Sequence, residues 1–327
     1  MHEPGAVPPG AGSVLYPLTA DRLVQLTFSL FRFRWRSFCG LSLAIGLPAY
    51  LLVALLQVVV GDDLARVQQA QLDLAAGRPV DLVNLLPVQA LAVSCFGIML
   101  VGIAGYFVQA AVVRRMADVY RGRNAHPIDA ARDVVSRARP LVAGALLVFL
   151  VVFAVIFVGA LIGVVLMVAT MSGGRIQPGL GVFGGLVVVV GTLALVVFLV
   201  VRWSFMAQAV MLERTSAVAA LRRSWSLVAG SSWRVLGYTV LFALLIGMVG
   251  LLVDTVVTLL FGTGLRLVSG RLVFESVPYI VGSLTNALVA LALAPISIIG
   301  LTLLYFDLRH RHGEPTMPPE TTAELSS

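Results

Sequence analysis

The sequence predicts an all-α, polytopic membrane protein: six transmembrane helices with three amphipathic interfacial helices, in a possible threefold pseudo-repeat. Three observations carry this. The chain of 327 residues is 59% hydrophobic and only 12% charged, whereas soluble domains run at roughly 45–50% apolar and about 25% charged. A soluble fold has no interior large enough to hide that apolar surface, so the bilayer is the implied solvent. The apolar residues gather in six runs, at about 38–60, 88–113, 141–171, 180–201, 235–261 and 280–306, and the arginines, which supply all 23 basic residues, gather at alternate ends of those runs.

Taken in order, residues 1–17 are rich in Pro, Gly and Ala and are expected to be a disordered tail, and residues 18–312 form the six-span membrane domain. Thr19–Ser37 reads as the first interfacial helix, with Leu23, Leu26, Leu30 and Phe33 on one stripe and Arg22, Gln25, Ser29, Arg32 and Arg36 on the other. The first span contains Pro48, and Gly61–Leu86 is expected to be a polar loop. The second span stops at Arg114 and Arg115. Pro127 then sits in the first turn of a second interfacial helix, where Ile128, Ala131, Val135 and Ala138 repeat the apolar spacing. The third span exceeds the ~20 residues a bilayer needs, and a turn at Ser172–Gly179 leads into the fourth. Gly159/Gly163 and Gly181/Gly185 have the small-xxx-small spacing that lets helices approach. The arginine- and tryptophan-bearing stretch Arg202–Gly237 holds the third interfacial helix, capped by Thr215 or Ser216, striped by Val218, Leu221, Trp225 and Val228, and stopped by Gly230. Ser231 or Ser232 caps the fifth span. A loop with Arg266, Arg271 and Glu275 precedes the sixth, which contains Asn286 and Pro295, and residues 313–327 are expected to be a second disordered tail.

The interfacial stripes begin at Leu23, Ile128 and Val218, and each is followed by a span, an outer loop and a return span, which is the threefold pattern. Placing both termini in the cytoplasm puts eighteen arginines inside and five outside, as the positive-inside rule demands. The expected location is the cytoplasmic (inner) membrane of a bacterium.

Motifs for chemistry are lacking. There is no nucleotide-binding glycine loop, zinc-ligand pair or nucleophile elbow in a fitting context, so no catalytic residue, metal ligand, cofactor or nucleic-acid partner is expected. Cys39 and Cys95 lie in apolar runs and read as small buried hydrophobes. Asp254 is the acidic residue well inside a span. An ionisable group at membrane depth is costly, which makes Asp254 with Asn286 a candidate intramembrane polar site; pairing with Arg266 or Arg271 is the structural alternative. Arg32, Arg36, Arg132, Arg222, Arg223 and Arg234 are candidate contacts to anionic phospholipid headgroups, each contributing ~1 kcal/mol near an acidic leaflet. The bland alternative is that they only enforce topology.

Two segments carry a family resemblance: Leu212-Glu213-Arg214 with Ala219–Val228 and Trp233–Gly237, and the last-span exit Leu303–Arg311. Both resemble the glycerophosphoryl diester phosphodiesterase membrane domain. That resemblance implies a membrane anchor or partner and not the hydrolase itself, because only 16 residues follow Arg311. The expected function is therefore non-catalytic: a scaffold or lipid-facing partner of a separate envelope or lipid-related enzyme, assembled with a membrane-protein partner or as a homo-oligomer. The other class left open is a small-solute or lipid transporter.

Overall fold

The computed structural model describes residues 18–79, 88–120, 127–172, 178–262, 264–268 and 271–315. The predicted tail over 1–17 and nearly all of that over 313–327 lie outside the described residues. In chain order the elements are α1 (Ala20–Val59), α2 (Gly61–Ala75), α3 (Val88–Tyr120), α4 (Pro127–Ser136), α5 (Ala138–Ser172), α6 (Pro178–Arg202), α7 (Met206–Glu213), α8 (Ala217–Val228), α9 (Ser232–Phe261), β1 (Leu265–Val268), β2 (Arg271–Phe274) and α10 (Ser276–Arg311). Six of these, α1, α3, α5, α6, α9 and α10, are long and apolar enough to cross a membrane, and they carry the six predicted runs.

Three predicted boundaries change. The predicted interfacial helix Thr19–Ser37 is joined to the first span within α1, across a kink that falls inside the predicted helix. No proline or glycine interrupts the chain between Asp21 and Cys39, so the helix bends instead of stopping, at Arg34 (φ −137°, ψ 36°). The predicted polar loop after the first span folds over Gly61–Ala75 as α2, with Asp62 and Asp63 in its first turn, where carboxylates complement the helix dipole. The loop bearing Arg266 and Arg271 is the antiparallel hairpin β1–β2, Leu265 opposite Phe274. Its signal was present: two short apolar runs separated by Ser269-Gly270. Helix and hairpin pack together, and the Leu272 N–H donates to Gln69 Oε1 (3.1 Å).

The bundle is organised around α10, whose apolar window is 56% buried against 6% for that of α6. It packs on α1, α9 and α3. Pro295, inside α10, has no N–H for the Leu291 carbonyl. That carbonyl accepts instead from Ser42 Oγ of α1 (2.7 Å), and the neighbouring Ala292 carbonyl accepts from Cys39 Sγ (3.3 Å). A membrane helix tolerates proline when a neighbouring helix satisfies the freed group in this way. Ser42→Ala is thus expected to lose about 1–2 kcal/mol, whereas in a Pro295→Ala background it should cost far less. A double-mutant cycle on unfolding midpoints reads the coupling, and additive losses would refute it.

The buried core lies at the end of the bundle where α1 begins and α10 ends, hereafter the base. It is capped from within by α7, of which Met206 through Met211 are all buried. This enclosed helix lies in the stretch Arg202–Gly237 ahead of the predicted interfacial helix. Within Met206–Leu212, Gln208 is the one polar residue, and a helix apolar on nearly all sides is stable only when enclosed. The α5–α6 pair behaves oppositely. Between residues 146 and 166 Gly159 alone is buried, and side chains such as Leu150 and Phe157 are exposed, as suits a hairpin solvated by lipid. A Cβ on Gly159 would fall 2.2 Å from Thr192 Oγ1, whereas Gly163 and Gly185 have nothing within 4 Å. Of these three glycines, the close approach between the helices therefore uses Gly159, and the surroundings of Gly181 lie outside the described residues. The threefold order of elements is present, but it does not extend to packing.

Candidate functional site

The base is built from carboxylates that tie distant segments together. Asp307, near the end of α10, is fully buried. Its Oδ1 accepts the Leu18 N–H (2.7 Å), and its Oδ2 faces Arg234 of α9 (3.1 Å) and Arg311 (2.9 Å). Arg234 also donates to the Leu18 carbonyl (2.5 Å). Glu213, which closes α7, takes Arg223 Nε of α8 (3.0 Å), Arg309 Nη1 (2.6 Å) and the Tyr305 hydroxyl. Glu314, beyond α10, pairs with both Arg223 and Arg309. A third group joins Arg114 to Asp133 (3.2 Å) and Arg137 to Asp133 (3.4 Å). Arg137 also reaches the last carbonyls of α7 at Val210 and Met211. The αL conformation of Arg214 (φ 55°) turns the chain sharply from α7 into α8.

The segments that carry the family resemblance thus meet in space: Glu213 of one contacts Tyr305 and Arg309 of the other. Sequence reasoning did not single out Glu213, Tyr305, Asp307 or Arg309. The available signal was scarcity, since Glu213 is the sole acidic residue between Asp133 and Asp254, and Asp307 the sole one between Glu275 and Glu314. The hydrogen bond from Arg223 holds the Glu314 carboxyl below its ordinary value of 4.5. A depressed carboxylate stabilises the fold above its unfolded pKa and loses that contribution as pH falls through the folded value. Hydrogen exchange at residues 312–314 should therefore stay slow from neutral pH down past 4.5 in the native chain and be fast already at neutral pH in Glu314→Gln. Equal protection in both would refute the contact.

The arginines proposed from sequence as headgroup contacts divide into two sets. Arg223 and Arg234 are held by the carboxylates just described. Arg32, Arg36, Arg132 and Arg222 are exposed, and Arg36 lies over the ring of the half-exposed Trp35 (5.5 Å). The apolar stripes read from spacing lie largely on the outward faces of their helices, although Val228 turns inward. On α8 the face against the protein is Ala217, Ala220, Ser224, Leu227 and Val228, while Val218 and Trp225 are exposed. On α4, Ala130 and Val134 are buried, and Ile128 (54%) and Val135 (69%) are exposed. Small residues let each helix sit close to the bundle, which turns the bulky residues outward. Arg202, at the end of α6, lies over the Trp225 ring (4.9 Å).

Asp254 and Asn286 are brought together, the Asn286 amide donating to Asp254 Oδ1 at 2.7 Å. The pair joins α9 to α10 about 10 Å short of the end of α9 opposite the base, by rise per residue. Arg266 faces Glu275 (3.4 Å) and not Asp254, and the Arg271 side chain lies outside the described residues. Of the cysteines, Cys39 is buried and Cys95 half-buried, and neither forms a disulfide.

No curated protein and no solved structure matches the chain. One family model does, over residues 40–306, a range that takes in five of the six apolar runs whole and nearly all of the first, with Asp254–Asn286, Glu213 and Tyr305. The chain belongs to the family described as a domain of unknown function, DUF7847.

Proposed function

We propose that the protein is a non-catalytic scaffold of a bacterial cytoplasmic membrane, which grips the inner leaflet and offers its base to a separately encoded envelope or lipid-related enzyme. The observation that carries this reading is the outward pairing of apolar and cationic side chains on the interfacial helices. Ile128 and Val135 are exposed beside Arg132 on α4, and Val218 and Trp225 beside Arg222 on α8. Such a face lies in the plane of an interface, with its apolar side chains among the acyl chains and its guanidinium groups at the phosphates. The excess of arginine at the base supports a cytoplasmic placement of that end. The resemblance to the glycerophosphoryl diester phosphodiesterase membrane domain, in which a similar region accompanies a lipid-related hydrolase, supports the choice of partner.

Two measurements test this. A reporter joined after Ser327 is expected to be active only in the cytoplasm. Purification in mild detergent is expected to recover an envelope or lipid-metabolising enzyme together with anionic lipid. In Arg32→Gln/Arg132→Gln/Arg222→Gln, bulk enrichment of anionic lipid should fall by about fivefold for each charge removed, at ~1 kcal/mol per charge. Recovery of the protein without enzyme and without lipid preference would sink the scaffold reading.

A second reading, a small-solute or lipid transporter, is favoured by the Asp254–Asn286 hydrogen bond, since an intramembrane carboxylate with a polar partner is a default functional candidate. Solute or lipid flux in proteoliposomes that disappears in Asp254→Asn, with the fold intact, would favour this reading over the scaffold.

A further inference from the structure

We propose that the groove between the start of α1 and the base of α9 holds one anionic phospholipid, its phosphate at Arg234 and Arg311 and an acyl chain along α9. The inference rests on the reading of the base as lipid-facing, and it adds a single defined site to that general interface. The groove encloses about 710 Å³, room for a headgroup and the upper part of a chain. Its charged end is formed by Arg234 and Arg311 with Thr19 and Ala20. Both arginines lean on one carboxylate, Asp307, whose other oxygen already accepts the Leu18 N–H. Two guanidinium groups on one carboxylate leave a net charge of about +1, the complement of a phosphodiester, and the planar guanidinium fork suits phosphate oxygens. The Arg311 side chain is 40% exposed, so it retains access to a ligand. Asp21, in the first turn of α1, does not line the groove and is hydrogen-bonded to Gln25.

The other end selects a lipid over a free anion. Trp233, Gly237 and Leu241 follow one another at four-residue spacing along α9, with Tyr238 beside them. From Trp233 to Leu241 the helix rises about 12 Å, so the groove passes from the charged level into the depth of the acyl chains. Trp233 is 85% exposed, and an amphipathic ring so placed belongs at the headgroup boundary. A Cβ on Gly237 would meet nothing within 4 Å. The glycine therefore leaves the floor open, and no contact among the described residues accounts for its lack of a side chain.

The test is native mass spectrometry of the full chain released from nanodiscs of phosphatidylglycerol and phosphatidylethanolamine. The wild type is expected to retain one phosphatidylglycerol. Gly237→Leu, which fills the floor and leaves both arginines in place, and Arg311→Gln should each weaken that retention by about tenfold or more, equivalent to ~1.4 kcal/mol. If Gly237→Leu fails to fold, Trp233→Ala replaces it, because so exposed a side chain supports no core. Equal retention by the wild type and the groove variants would overturn the proposal. So would retention of phosphatidylethanolamine as readily as phosphatidylglycerol, or displacement of the lipid by inorganic phosphate, which would mark a free-anion site. A chain lacking residues 2–16 that gains a lipid the full chain does not hold would also overturn it, by placing that segment in the groove. Failure of the scaffold reading is separable: loss of bulk anionic enrichment in the Arg32/Arg132/Arg222 variant, with the one bound lipid kept, removes the general interface and leaves this site standing.

Discussion

Asp307→Ala is expected to destabilise the protein by about 3 kcal/mol, the largest loss from a single side chain at the base. The carboxylate has no exposure to solvent and holds three groups at once: the Leu18 N–H, Arg234 and Arg311. Truncation strands a backbone donor and leaves two guanidinium groups without their shared counter-charge. A buried group left unsatisfied costs its full desolvation, which exceeds the net contribution of the contact it once made. Asp307→Asn keeps an acceptor for Leu18 and should fall between wild type and alanine. Arg311→Gln should cost under about 1 kcal/mol, because that arginine is 40% exposed and its pair is partly screened. Unfolding midpoints of the purified variants in one detergent provide the ranking. A change within about 0.5 kcal/mol for Asp307→Ala, the range of ordinary surface substitutions, would show that the carboxylate does not join the ends of the domain.

Gly300→Leu carries the second large effect, expected at up to about 3 kcal/mol through overpacking. A Cβ at Gly300 would sit 2.3 Å from Phe242 Cζ and 2.4 Å from its Cε2. Phe242 is itself 2% exposed, so the ring has little space into which to retreat. Gly300→Ala should destabilise less, and pairing it with Phe242→Leu should recover part of the loss. Gly247 and Gly250, also on α9, have nothing within 4 Å. Alanine there should be neutral or stabilising by roughly 0.5–1 kcal/mol, the usual helix-interior difference. The same thermal assay separates the cases, and a destabilisation at Gly247 equal to that at Gly300 would contradict the packing.

Much of the architecture was legible because membrane helices are specified by run length and polarity, both of which are local. The same logic located the Asp254–Asn286 pair, since the two residues fall at matching depth in adjacent spans and the structure joins them at 2.7 Å. Legibility failed where a residue's role depends on a partner far away in sequence. Arg223 and Arg234 were read from sequence as headgroup contacts, and that reading did not include the carboxylates with which each also pairs. Their carboxylates, Glu213, Glu314 and Asp307, come from other elements, and spacing alone could not pair them. The stripes on α4 and α8 were legible as apolar faces, but not which neighbour each side chain of them would meet. Periodicity identifies a bulky apolar face, but it does not say whether that face meets protein or lipid when both are apolar.

By itself, then, the sequence determined that the chain carries six runs long and apolar enough to cross a bilayer, and which ends of those runs are arginine-rich. Each follows from the free energy of placing a short segment in hydrocarbon or in water. Only the tertiary structure decided that α7 is enclosed and not interfacial, that Ser42 answers the carbonyl freed by Pro295, and that Asp307 gathers Leu18, Arg234 and Arg311. These depend on contacts between residues hundreds of positions apart. Their energies arise from satisfying or stranding polar groups out of water, which no local reading of composition or period contains.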